Sequence, residues 1–133
     1  MPRAEAAGYK PDAVVTADEA PQGRPWPWMC YLNCMRLGVH PPEAVVKVGD
    51  TLADVEEGIN AGHWSVGVTR TSNALGLTAE EAAALPADEL CRREEELGRA
   101  FREAGAHYVI SSIADLPGLI DKINARLAKG ERP

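Results

Sequence analysis

Apolar residues along this chain fall into short runs separated by segments of helical period. Val45-Val46-Lys47-Val48 is the run a buried strand makes, interrupted only by Lys47, which requires one edge or end of that strand to reach water. Trp64-Ser65-Val66-Gly67-Val68-Thr69 and His107-Tyr108-Val109-Ile110 repeat the pattern, and Ala13-Val14-Val15-Thr16 is a shorter, earlier example. Between the runs the period lengthens. Met29, Tyr31, Leu32 and Met35 predict a helix through Leu37, with Pro27 in its first turn and Gly38 as its stop. A second helix runs from Thr51 to Ala61 and closes at Gly62. Thr78-Ala79-Glu80-Glu81 is a Thr-x-x-Glu capping box at the start of a third. Pro86 breaks it, and a further helix opens at Ala87 or Asp88 and runs to Ala104. Leu116, Leu119, Ile120, Ile123 and Leu127 form the buried side of a last helix with Pro117 in its first turn, and Met1 to Ala7 reads as a helix tail closed by Gly8. Strand, helix and strand at short spacing predict an α/β chain: a Rossmann-like parallel sheet flanked by helices, in one domain over residues 1–133.

Composition narrows the class without changing that picture. With 26% charged and 45% hydrophobic residues the chain reads as globular. A net charge of −6 argues against a nucleic-acid partner, which needs a basic face, but leaves room for a small anion held by a local cation. Cys30, Cys34 and Cys91 make no disulfide framework; Cys30 and Cys34, four apart on one helix face, read as packing residues. No apolar run is long enough to cross a bilayer, and the first residues carry no signal-peptide core, so no membrane association and a cytoplasmic location are expected.

In an open α/β sheet ligands bind outside the carboxyl ends of the strands, and two stretches bring chemistry there. In Gly49-Asp50-Thr51-Leu52-Ala53-Asp54, Gly49 permits a sharp turn and Asp50 stands at the strand's end, where a carboxylate suits a hard cation such as magnesium. The same residues also read as a plain helix cap at Asp50 or Thr51. In Gly23-Arg24-Pro25-Trp26-Pro27-Trp28, Arg24 lies on a strand-to-helix loop and is either a fork for phosphate oxygens or a solvated loop arginine. Trp26 and Trp28 read as packing residues. Thr71, Ser72 and Asn73, in the loop after the Trp64 strand, are possible ligand contacts. His63 reads as a turn residue or helix C-cap, His107 as structural, and Arg92 to Glu96 as a solvated face.

Gly23-Arg24-Pro25, Pro27-Trp28-Met29-Cys30-Tyr31, Lys47-Val48-Gly49-Asp50-Thr51, Glu57-Gly58-Ile59-Asn60-Ala61-Gly62 with Trp64, Leu75-Gly76-Leu77-Thr78 and Gly105-Ala106-His107 stand in the order and spacing of the phosphonoacetaldehyde hydrolases. The chain resembles this branch of the haloacid-dehalogenase-like superfamily, and the likeness extends over nearly all of it. The resemblance implies magnesium-dependent cleavage of the carbon–phosphorus bond of phosphonoacetaldehyde, a small-molecule phosphonate, to acetaldehyde and phosphate in 2-aminoethylphosphonate degradation. It also implies an enzyme that is typically a homodimer. Carried over by motif, Asp50 ligates magnesium, Asp54 and Thr51 support it, and Arg24 binds phosphate. The family's aspartate nucleophile and the cap-domain lysine that forms a Schiff base with the aldehyde have no counterpart among these residues. The likeness is therefore to the carboxyl-terminal half: a haloacid-dehalogenase-like core without its first strands and cap, expected to be inactive by itself, with an open inner sheet edge and no native neighbour for Ala13–Thr16. Two other readings stand beside it: part of another small-molecule phosphatase or phosphoglucomutase-like relative of the superfamily, and a non-catalytic remnant or partner-dependent module.

Overall fold

The computed structural model describes residues 6–72 and 75–133. Among them are three parallel strands, β1 (Val46–Gly49), β2 (Trp64–Val68) and β3 (Tyr108–Ile110), in the order β1-β2-β3. The helices are α1 (Trp28–Leu37), α2 (Leu52–Asn60), α3 (Ala79–Ala84), α4 (Ala87–Glu103) and α5 (Leu116–Ala128). The expected α/β architecture is present, with each of these elements within two or three residues of its predicted place. Asn73 and the predicted helix tail over Met1 to Glu5 lie outside the described residues.

Register makes the sheet two-faced. Val46 pairs with Trp64, Val48 with Val66, and Val66 with Tyr108. Because side chains alternate along a strand, these residues share one face. They close over Leu119 and Ile123 of α5, with Leu116, Leu127 and Ile110 at the margin. The guanidinium of Arg126 lies 4.7 Å from the Trp64 ring and donates to the Tyr108 hydroxyl at 2.8 Å, sealing this layer with a cation–π contact. Ile120, expected on the buried side of α5, is more than a third exposed, because Leu119 and Ile123 define the helix's inward line.

The other face reads Lys47, Gly49, Ser65, Gly67 and Val109. Its small residues let helices approach closely. A Cβ on Gly67 would stand 2.8 Å from Cγ of the fully buried Phe101 of α4, so the ring occupies the space a side chain would fill. Ser65 Oγ donates to the Val55 carbonyl of α2 at 2.9 Å. His107 accepts the Ser65 N–H on Nδ1 at 2.9 Å, at the amino end of β3, and its role is structural, as expected.

Three expectations are corrected. Ala13–Thr16 forms no strand: among the described residues no strand pairs with it, and its backbone bonds side chains instead. Thr16 N–H binds Glu19 at 2.7 Å, and the Val14 carbonyl takes Arg36 at 2.7 Å. Trp26 and Trp28 are not buried packing residues; they are 50% and 37% exposed, and the buried tryptophan is Trp64. Pro27 stands just before α1 as its N-cap rather than inside its first turn, while Gly38, at φ +64°, stops that helix as expected.

The two-faced sheet yields a paired expectation. Gly67→Ala forces Phe101 aside and lowers stability by about 1–3 kcal/mol. Gly98→Ala, in the middle of α4 with Val109 Cγ1 at an ordinary 3.4 Å, raises it by about 0.5–1 kcal/mol. Urea unfolding of the two variants checks both signs.

Candidate functional site

The carboxyl end of β1 runs straight into the start of α2, and Thr51 between them is the N-cap. Its hydroxyl accepts the Asp54 N–H at 3.2 Å, while Asp54 Oδ2 accepts the Thr51 N–H at 3.2 Å, a reciprocal capping box. The cap is therefore Thr51, and Asp50 remains at the strand's tip. Gly49 has another purpose than the sharp turn expected of it, since its φ is not positive. A Cβ there would stand 2.5 Å from Asp54 Cγ and 2.8 Å from Asp54 Oδ2. The missing side chain is the space in which the Asp54 carboxylate sits.

Asp54 is buried and its two oxygens are both engaged. Oδ2 accepts the Asp50 N–H at 3.2 Å, the Thr51 N–H, and the Thr51 hydroxyl at 2.8 Å. Oδ1 takes Nη1 of Arg24 at 2.6 Å and lies 3.6 Å from Nζ of Lys47. Burial pushes its carboxyl up, but the hydrogen bonds from Arg24 and Thr51 and the nearby Lys47 charge outweigh that and hold it below its ordinary value.

Arg24 arrives on its own loop, which is pinned to the end of α2: Asn60 Nδ2 donates to the Pro25 carbonyl at 2.8 Å. Its side chain keeps 45% of its surface exposed. The Asp54 hydrogen bond and then the Asp54 charge raise its pKa, and the charges of Glu57 and Asp50 add to the effect. Arg24, Asp50 and Asp54 thus share one corner of the molecule, joined through the Asp54 carboxylate. Ser72, buried in the loop after β2, donates its hydroxyl to the Asp50 carbonyl, so that loop also meets the site; Thr71 beside it is exposed.

Two residues of the site have no site role in the sequence reading. Glu57 is 2% exposed, one turn after Asp54 on α2. Its Oε1 holds Lys47 Nζ at 2.7 Å. Lys47 therefore does not take the strand to water; its side chain, 23% exposed, turns inward to a carboxylate. Burial pushes its ammonium pKa down, yet the hydrogen bond and charge of Glu57 prevail and raise it. The spacing Asp54-x-x-Glu57-Gly58 was the available signal: it puts two carboxylates and a gap on one helix face, opposite a strand lysine on the matching sheet face.

A cavity of about 390 Å³ separates α1 from β1 and α2, with Met29, Cys30, Asn33, Val46, Lys47 and Glu57 in its walls. Burial and then the Glu57 charge push the Cys30 thiol up to about 12, so it stays protonated and inert. His63 is buried; Nδ1 donates to the Pro42 carbonyl at 2.8 Å, and Nε2 faces Cys34 Sγ at 3.8 Å, a bracing role just beyond α2. For magnesium the fit is partial. Among the described residues no three His, Cys, Asp or Glu side chains converge on one point. Both Asp54 oxygens are already committed to donors. Asp50 stands at the tip of β1 as one further carboxylate, and an ion that takes one or two protein carboxylates and otherwise water and phosphate oxygens asks for no more.

No family model matches the chain. It is 56% identical over all 133 residues to a phosphonoacetaldehyde hydrolase of Nitratidesulfovibrio vulgaris, of which it covers 48%. It is 48% identical over 130 residues to a bifunctional phosphonoacetaldehyde hydrolase/aminoethylphosphonate transaminase of Clostridioides difficile, covering 20% of that protein. Among solved structures, a phosphonoacetaldehyde hydrolase-like protein from Oleispira antarctica superposes with a TM-score of 0.94 at 41% identity, over 98% of this chain and 48% of that one. The chain is homologous to the carboxyl-terminal half of the Nitratidesulfovibrio vulgaris hydrolase and of the Oleispira antarctica protein, and has the corresponding part of the latter's haloacid-dehalogenase-like fold. It spans about half the length of the hydrolases it matches.

The Asp54 carboxylate sets a pH dependence. Its folded pKa lies below the ordinary 3.8, so it contributes stability that is complete above that value and is lost as pH falls through the folded pKa. Acid titration followed by circular dichroism is expected to show wild type losing stability below about pH 4 more steeply than Asp54→Asn. At neutral pH the same variant, which leaves Lys47 and Arg24 without their shared charge, is expected to be about 1–3 kcal/mol less stable.

Proposed function

We propose that this chain is the phosphate- and metal-binding half of a phosphonoacetaldehyde hydrolase, acting on the carbon–phosphorus bond of phosphonoacetaldehyde to give acetaldehyde and phosphate in the breakdown of 2-aminoethylphosphonate. The observation that carries the reading is the union of Arg24 and Asp50 through Asp54 at the carboxyl end of β1, in a chain whose relatives bear that name. Phosphoryl transfer asks little covalent chemistry of such residues. It asks for positioning and for neutralisation of charge on the transferring group.

In this reading Arg24 meets the phosphonate oxygens with the exposed part of its guanidinium. Asp54 fixes the planar fork in one orientation, and Thr51 fixes Asp54. Asp50 holds Mg²⁺, which when bound neutralises charge on the phosphoryl oxygens. Attack comes from an aspartate, and electron withdrawal from a lysine imine, both supplied by the other half of the enzyme; neither group has a counterpart in these 133 residues.

Support for a second half comes from the side of the sheet where it would join. β1 is an edge strand of the described sheet. The cavity on its flank is lined by Asn33 and Glu57, whose buried Oδ1 and Oε2 find no hydrogen-bond donor among the described residues. Buried acceptors left this way cost about 1–3 kcal/mol each, and a segment bringing donors would recover it.

The test is complementation. The 133-residue chain, assayed for acetaldehyde with Mg²⁺ and phosphonoacetaldehyde, is expected to show no turnover. Mixed with the amino-terminal half of the Nitratidesulfovibrio vulgaris relative, it is expected to gain turnover, and Asp50→Asn in the mixture to lose at least about 100-fold. Acetaldehyde from the chain alone, or a mixture indifferent to Asp50→Asn, overturns the proposal.

A further inference from the structure

Lys47 is an expensive residue to keep where it is. It sits in the middle of β1, its stem crosses the inner face of the sheet, and most of its side chain is out of water. The stem has a channel built for it. A Cβ on Gly58 of α2 would lie 2.9 Å from both Cβ and Cγ of Lys47, and 2.9 Å from Ser65 Oγ. Nζ then lies between two carboxylates of one helix face, Glu57 Oε1 at 2.7 Å and Asp54 Oδ1 at 3.6 Å.

A lysine with only a packing duty needs neither carboxylate, and a methionine would fill the same channel. A lysine needed only to satisfy Glu57 gains nothing from also lying near Asp54. The arrangement makes sense as a relay. Glu57 is held on a helix, buried, and cannot swing. It fixes the ammonium at one end, and the ammonium places a second positive charge, besides that of Arg24, within reach of Asp54 Oδ1. Oδ1 is then near two cations, while Oδ2 is held by three donors from Asp50 and Thr51. Rotation of the carboxylate about its Cβ–Cγ bond would break contacts on both oxygens at once.

We propose that Lys47, anchored by Glu57, is a positioning residue of the site: it locks the orientation of the Asp54 carboxylate, and through it the Arg24 guanidinium. That the locked group meets phosphate rests on the function proposed above; the locking itself does not.

The experiment reads Arg24 directly. In the 133-residue chain, the exchange of the Arg24 Nε proton with water and the ¹³Cγ resonance of Asp54 are measured by NMR in wild type, Lys47→Met, Lys47→Arg and Glu57→Gln. Lys47→Met keeps the volume and removes the charge; Glu57→Gln keeps the shape and frees the ammonium. Both are expected to speed Arg24 exchange about fivefold and to shift Asp54 ¹³Cγ, with Lys47→Arg close to wild type. If Lys47→Met fails to fold, Glu57→Gln decides alone. Unchanged Arg24 exchange and Asp54 shift in the folded charge variants overturn the proposal. Titration of wild type with inorganic phosphate and Mg²⁺ separates it from the reading it deepens. If the variants loosen Arg24 but wild-type Arg24 ignores phosphate, the positioning role stands and the phosphate role falls.

Discussion

The carboxylate of Asp54 is the junction on which this part of the molecule depends. It joins the end of β1 through the Asp50 N–H, the start of α2 through Thr51, the Arg24 loop through a 2.6 Å ion pair, and the middle of β1 through Lys47. One side chain ties the Arg24 loop, 30 residues away, to the strand and helix on either side of it, and that side chain fits only because residue 49 has no Cβ. Glycine at the strand's end is commonly a device for turning. Here the backbone needs no left-handed conformation, and the demand is for volume. A larger residue at position 49 would dislodge the carboxylate and, with it, the relative placement of Arg24 and Asp50.

The same exchange of side-chain volume for proximity runs across the inner face of the sheet. Gly49 admits Asp54, Gly58 admits the Lys47 stem, and Gly67 admits Phe101. The opposite face is conventional, with valines, Trp64 and Tyr108 closing over α5. Stability and chemistry are thereby assigned to different sides. The apolar layer contributes the burial that holds the strands together. The close-packed layer spends its space on charged groups, and it tolerates them because almost every buried charge there has a partner of opposite sign.

Much of this was legible in the sequence. Apolar runs at short spacing located the three strands, and Thr-x-x-Glu and the glycine stops located the helix ends. The motif likeness pointed to Arg24, Asp50, Thr51 and Asp54. What stayed hidden has a common cause. Ala13–Thr16 has the composition of a strand, but strand formation needs a neighbour, and composition does not provide one. Trp26 and Trp28 are large and apolar, but burial depends on what faces them. Lys47 was read as a route to water because a lone lysine in an apolar run usually is one. Only the helix register, which sets Glu57 opposite it, reverses that reading. Pairwise tertiary facts of this kind are absent from any local window.

The distribution of unmet demands is informative in itself. The chain carries a net charge of −6, yet the charges at the site alternate: Glu57, Lys47, Asp54, Arg24, Asp50. Local pairing, not the total, governs what the site attracts, so an acidic protein can present a guanidinium to an anion without paradox. Against this well-matched core, the described residues contain two buried side-chain oxygens without a donor, on Asn33 and Glu57, and both line the cavity beside β1. Both stand on one flank of the sheet, beside the edge strand β1. Glu57 belongs to both stories. One oxygen anchors Lys47, and the other belongs to a side chain that lines the cavity between α1 and β1.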